Sequence, residues 1–142
     1  MKVITWDSGV KQPADKGIIL KDILTEDKDQ FIFLSQKEID RALDKHKVKY
    51  YPSGNRRGNM KFPDDINKKT KCLCSVRIKG ARETHHVQSN KGIRMLTLVE
   101  CERLQTLPDN YTKGISITAR YKILGNCFTV DIIVHILRSV LK

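Results

Sequence analysis

Residues 129–142 constrain the fold most. Val130, Ile133, Ile136, Leu137, Val140 and Leu141 recur at helical spacing behind Thr129, which predicts a capped helix with a broad apolar stripe. Asp131 near its positive end and Arg138 and Lys142 near its negative end suit the helix dipole. Such a helix needs a covering surface, which in a small domain is ordinarily the chain's own core and otherwise a second subunit. With 142 residues the chain has about the length of one domain. Its 39% hydrophobic and 30% charged residues are a globular balance, which excludes a disordered tail or a fibrous repeat. The opening stretch MKVITWDSGVKQP lacks the apolar run of a signal peptide, and no later run approaches the roughly 18 apolar residues of a membrane span. A soluble cytoplasmic protein with no membrane contact is therefore expected. Cys72, Cys74, Cys101 and Cys127 form no CxxC, which fits reduced thiols.

The formal charge of +11 is unevenly spread: residues 46–92 hold 12 of the 27 Lys and Arg against 3 of the 16 Asp and Glu. This favours a polyanionic partner. Arg56, Arg57, Lys61, Lys68, Lys69, Lys71, Arg77, Lys79 and Arg82 are interleaved there with turn-forming Gly, Asn, Ser and Pro, as a set of phosphate-gripping loops would be. A solvated basic face with no ligand is the alternative from charge alone. Aromatics amount to only 6%, with Trp6, Tyr50, Tyr51 and Tyr111 scattered, so duplex readout suits the composition better than single-strand stacking. Arg56, Arg57, Arg77 or Arg82 could then read guanine edges.

Ser35-Gln-Lys-Glu38 is a capping box that predicts a helix over 36–46, preceded by a strand at Phe31–Leu34. Further strands are predicted at Cys72–Ile78, ending near Gly80, and more briefly at Val3–Trp6 and Ile93–Leu96. A second box, Thr97-Leu-Val-Glu100, opens a short helix carrying Leu98, Cys101 and Leu104 on one face, which must stop before Pro108. Ile117–Leu124 predicts another, closed by Gly125 in the left-handed conformation. The class is α+β. Cys72-x-Cys74 with His85-His86 could be offered as a zinc site, but the spacing is wrong for the common motifs, and a buried strand edge is the better expectation. His46 and His135 have no evident partner acid or nucleophile. Cys127 reads as a packing residue, although a place beside Asn126 at a helix start could lower its pKa.

The segment Arg94-Met-Leu-Thr97-Leu-Val-Glu100-Cys-Glu-Arg103-Leu-Gln105-Thr-Leu-Pro108 resembles the ninth motif of cytosine-5 DNA methyltransferases, R-x-L-T-x-x-E-x-x-R-L-Q-x-F-P, with Leu107 in place of Phe. Arg120-Tyr121 followed by Gly125-Asn126-Cys127-Phe128 is similar to the tenth motif, with Cys127 in a Ser or Ala place and Phe128 bulkier than the usual Val. Upstream, LSQKEI, a variable basic stretch and KTKCLCS look like the target-recognition region.

The resemblance implies a small mixed β target-recognition domain, then short helices and a C-terminal helix that packs on a Rossmann-like, S-adenosylmethionine-dependent domain. Residues 1–24 would connect, 25–92 would recognise the target, and 93–142 would carry motifs nine and ten. Arg94, Thr97, Glu100, Arg103, Gln105 and Pro108 would form the motif-nine scaffold, and Gly125, Asn126 and Cys127 would meet S-adenosylmethionine. The family's chemistry needs a thiolate in a Pro-Cys motif to attack cytosine C6 and activate C5. Here the four prolines precede Ala14, Ser53, Asp64 and Asp109, and the Gly-x-Gly turn, Glu-Asn-Val and Gln-x-Arg-x-Arg are also missing. No catalytic residue is assigned. The expectation is the DNA-recognition portion of a restriction-modification methyltransferase, a split subunit or fragment that acts only with a catalytic half. Its partners would be duplex DNA and that half, or a second copy through the C-terminal helix. A stand-alone DNA-binding or regulatory module and a small RNA-binding protein are the alternatives.

Overall fold

The computed structural model of the chain describes residues 10–26, 31–46, 62–75 and 84–141. Among the described residues the elements are α1 (Leu20–Ile23), α2 (Gln36–His46), β1 (His86–Ser89), β2 (Gly92–Met95), α3 (Leu98–Leu104), α4 (Ile117–Asn126) and α5 (Val130–Val140). The mixture is α+β, as expected. No single helix among them is long and apolar enough to cross a membrane.

β1 and β2 are an antiparallel hairpin, with His86 opposite Met95, Val87 opposite Arg94 and Ser89 opposite Gly92. Asn90-Lys91 makes the turn, and Gly92 at φ +134° takes a backbone conformation that L side chains rarely adopt. Phe31–Leu34, predicted as a strand, makes only one bridge beside β2: Leu34 N–H donates to the Ile93 carbonyl at 2.9 Å and Met95 N–H to that of Ile32 at 3.0 Å. Helix α2 follows at once and leaves no length for a ladder. At its predicted box the Glu38 carboxylate accepts both the N–H and the hydroxyl of Ser35. Cys72–Ser75 is not a strand, and Cys72 and Cys74 are exposed, which corrects the expected buried edge. The Cys72 carbonyl faces the ring of His85 and the backbone of Cys74 and Ser75 lies against α4, so a side chain and a helix hold this segment in place of a ladder. Val3–Trp6 and residues 76–80 lie outside the described residues.

The core draws Leu20 and Ile23 from α1, Val87 from β1, Leu96, Leu98 and Cys101 from the entry and first turns of α3, and Leu124 from α4. Fully burying a Leu, Ile or Val side chain contributes roughly 2 kcal/mol relative to leaving it in water. Leu73, Ile66, Leu104, Leu107 and Tyr121 pack around this cluster, and the Tyr121 hydroxyl donates to the Leu96 carbonyl at 2.8 Å. Residues from α1, the hairpin, α3 and α4 thus meet in one cluster.

Two expected helix ends differ. α4 continues through Gly125 to Asn126, and Gly125 is not left-handed. A Cβ on Gly125 would overlap the Cys74 carbonyl carbon and the Ser75 nitrogen, so glycine is required there by a helix-to-backbone approach and not by a cap. Thr129 does stand at the N-cap of α5, but its hydroxyl donates to Gln105 Oε1 at 3.2 Å and caps nothing. The predicted stripe is not core. No residue of α5 is buried, and Ile133, Ile136 and Leu137 remain exposed, with Phe128 just before the helix 75% exposed. Lys142 lies outside the described residues.

Candidate nucleic-acid interface and its buried scaffold

Thr97 opens α3 with a complete capping box. Glu100 N–H donates to Thr97 Oγ1 at 3.2 Å, and the Glu100 carboxylate accepts the Thr97 N–H at 2.7 Å. The same carboxylate, fully buried, takes both terminal nitrogens of Arg94 at 2.8 Å and the Thr25 N–H at 2.9 Å. One side chain therefore caps α3, neutralises a buried guanidinium on β2 and ties down the chain after α1. The Arg94 guanidinium also lies over the Phe31 ring, 3.9 Å from its centroid. Breaking such a pair from one side strands a buried charge, which costs about 3–5 kcal/mol.

Arg103 and Gln105 act outward from the same helix. Arg103 pairs bidentately with Asp109 at 2.8 and 2.7 Å and donates to the Ile23 carbonyl at 3.1 Å, closing the end of α1. Gln105 Nε2 donates to the Leu124 carbonyl at 2.7 Å, while the Gln105 carbonyl accepts Val130 N–H at 3.0 Å. Gln105 thus sets the break between α4 and α5. Pro108 begins the turn that leads away, its carbonyl accepting Tyr111 N–H at 3.2 Å. Arg94, Thr97, Glu100 and Gln105 are brought together as a buried polar scaffold, with Arg103 partly exposed at its edge and Pro108 exposed beyond it.

Sequence reasoning missed Glu102. Fully buried, it accepts Asn110 N–H at 2.7 Å, Thr112 N–H at 2.8 Å and Arg120 Nη2 at 3.0 Å, with the Thr112 hydroxyl also on Oε1. Burial is the largest single influence on this carboxyl and raises its pKa. The hydrogen bonds from Thr112, Arg120 and Asn110 together outweigh burial and hold it below the usual carboxylate range. The available signal was Pro108-Asp-Asn110-Tyr-Thr112, a turn whose free N–H groups need an acceptor. A second missed cluster centres on Asp64 and His85 in the basic stretch. His85 Nδ1 lies 3.2 Å from Asp64 Oδ2, and Asp64 also accepts His86 N–H at 2.9 Å and pairs with Lys71 at 3.2 Å. Burial again pushes the Asp64 pKa up most, and His85, Lys71 and the His86 N–H together bring it below the ordinary value.

Of the basic residues predicted to meet DNA, Lys68 is exposed, Lys69 pairs with Asp15 on the surface, and Lys71 is partly buried against Asp64. Arg56, Arg57, Lys61, Arg77, Lys79 and Arg82 lie outside the described residues. Gly125 faces the backbone of Cys74 and Ser75, Asn126 is exposed, and Cys127 Sγ turns back to the Leu124 carbonyl at 3.3 Å. Desolvation raises the Cys127 pKa, contrary to the lowering that a helix start suggested. Among the described residues no three His, Cys, Asp or Glu side chains group as metal ligands, and His85 is committed to Asp64, Thr70 and Cys72.

Residues 7–142 match the family described as C-5 cytosine-specific DNA methylase. The chain belongs to this family. Among C-5 cytosine-specific DNA methylases it is 28% identical over 146 residues to the type II methyltransferase M.Sau3AI of Staphylococcus aureus, covering 95% of this chain and 34% of that protein. It is 30% identical over 136 residues to the type II methyltransferase M.HpaII of Haemophilus parainfluenzae, covering 86% of this chain and 38% of that protein. The chain therefore spans little more than a third of the length of these methylases. No solved structure matches it.

Proposed function

We propose that the chain is the DNA-recognition and motif-nine portion of a cytosine-5 DNA methyltransferase. In this reading it serves methyl transfer to cytosine in duplex DNA only together with a catalytic portion. Residues 25–92 read and grip the duplex, 93–142 brace them, and 1–24 connect to the catalytic portion. The observation that carries the reading is the motif-nine scaffold: Arg94, Thr97, Glu100, Arg103 and Gln105 are all spent on internal bonds that lock the chain together. Such a scaffold has no bond-making group of its own and suits a support for recognition loops.

Methyl transfer in this family requires a thiolate nucleophile and S-adenosylmethionine, and these 142 residues hold no Pro-Cys. Gly125 lies against the Cys74–Ser75 backbone, Cys127 Sγ turns to the Leu124 carbonyl and Asn126 is exposed, so any contact of this corner with the cofactor would be made together with the catalytic portion. In this reading S-adenosylmethionine is held chiefly by the catalytic portion, with Gly125, Asn126 and Cys127 closing over it, and we assign this chain no step through it. The exposed stripe of α5 fits the surface that meets that portion, or a second copy.

The test mixes or co-expresses the chain with a methyltransferase portion bearing the Gly-rich turn and Pro-Cys, and measures transfer of labelled methyl to duplex DNA. Transfer by the mixture and not by either part supports the reading. DNA binding with no restored transfer favours a stand-alone binding module. Absence of DNA binding refutes both.

A further inference from the structure

Resting on that reading, the geometry points to a doubly donating His85 imidazolium, held by Asp64, as the positioning device that presents Lys68 and Lys69 to DNA phosphates. His85 is 3% exposed and each ring nitrogen meets an acceptor: Nε2 the Cys72 carbonyl at 3.2 Å, Nδ1 the Asp64 carboxylate at 3.2 Å and the Thr70 hydroxyl at 3.1 Å. A carbonyl cannot donate, so Nε2 carries a proton. If Nδ1 were bare, with Thr70 donating to it, its lone pair would face the carboxylate oxygen at 3.2 Å with no proton between them. Protonating both nitrogens removes that conflict and places a cation against Asp64.

The ring joins the two ends of loop 64–72. Asp64 N–H donates to the His86 carbonyl at 2.7 Å, fixing the first end to β1, and Cys72 is the last residue the ring reaches. Between them the carbonyls of Ile66 and Lys68 accept Lys21 N–H at 2.8 Å and Leu20 N–H at 2.9 Å, the free donors at the start of α1. With its backbone held from both sides, the loop leaves the Lys68 and Lys69 side chains on the surface. The Lys69 pair with Asp15 is exposed, and such pairs exchange readily for a phosphate. Lys71 is turned inward to Asp64 and has a structural part instead.

The experiment has a spectroscopic arm and a binding arm. Ring 15N NMR of the unaltered protein is expected to show both His85 nitrogens protonated, and a bare nitrogen overturns the proposal without any variant. Salt dependence of binding to a mixed-sequence duplex is then measured for the unaltered protein, Lys68→Ala with Lys69→Ala, His85→Gln, Asp64→Asn, and His85→Gln combined with the two lysine changes. If both lysines meet phosphates, their loss lowers the slope of log K against log salt by about 1.8. His85→Gln is expected to lower it similarly, and the lysine changes to add nothing further in that background. Additive losses reduce His85 to general stability and overturn the proposal. Should His85→Gln fail to fold, Asp64→Asn replaces it, with loss of the doubly protonated ring signal as the matching readout. Absence of DNA binding by the unaltered protein instead defeats the DNA-recognition reading itself.

Discussion

Replacing Glu100 by Gln tests whether the motif-nine scaffold is one coupled unit. The change keeps the volume and removes the charge, so the Arg94 guanidinium, 3% exposed, faces an amide and no longer a carboxylate. One-sided loss of a buried pair costs about 3–5 kcal/mol. Arg94→Met strands the carboxylate instead, at a similar cost, although Thr97 and Thr25 N–H groups still reach it. If the two effects were independent, the double variant would lose about 6–10 kcal/mol, comparable with the whole stability of a domain. Coupled, the double variant buries no charge, and the amide oxygen of the introduced glutamine would still accept one of the two N–H groups. One stranded N–H costs about 1–3 kcal/mol, so a total in that range, well below the additive value, is expected. Urea unfolding followed by circular dichroism measures all three variants. With a slope of about 2 kcal/mol per molar, the single changes should each lower the midpoint by about 2 M. Additivity of the two single losses would refute the scaffold argument.

Gly125→Ala should destabilise the chain by about 1–3 kcal/mol in a thermal melt, because the added methyl overlaps the Cys74–Ser75 backbone; a simple helix-interior glycine would gain up to about 1 kcal/mol from the same change. The lowered pKa of Glu102 sets the sign of its pH dependence: its contribution is complete above the unfolded value of about 4.3 and is lost as pH falls through the depressed folded value. Stability measured against pH should therefore drop below about pH 4, and Arg120→Met, which removes one of the lowering bonds, should make that drop shallower. Ile136→Asp with Val140→Asp should leave the melting temperature nearly unchanged, since α5 contributes nothing to the core, while abolishing any self-association seen by sedimentation. Unfolding of that variant would return the stripe to the chain's own core.

Local chemistry was legible because it needs few residues and short range. Thr97 and Glu100 cap α3 as their spacing requires, α2 begins after Ser35, and the period of Val130 to Leu137 builds α5, each being a property of one turn of backbone. The basic bias and the motif-nine pattern likewise stand in the sequence as written. Long-range partners decided the rest. The identity of Glu100 is readable as a cap, but its hold on Arg94 and Thr25 exists only once β2 and the end of α1 reach it. Gly125 carries the signature of a helix terminator, yet the approach of Cys74 and Ser75 is what demands it. Thr129 was shaped to cap and was captured by Gln105 across the α4–α5 break. The strand expected at Cys72 gave way to a segment held by His85 and α4, because β pairing depends on a neighbour that no local pattern supplies. The stripe of α5 likewise specified a helix, while the tertiary structure alone left that stripe outside the core.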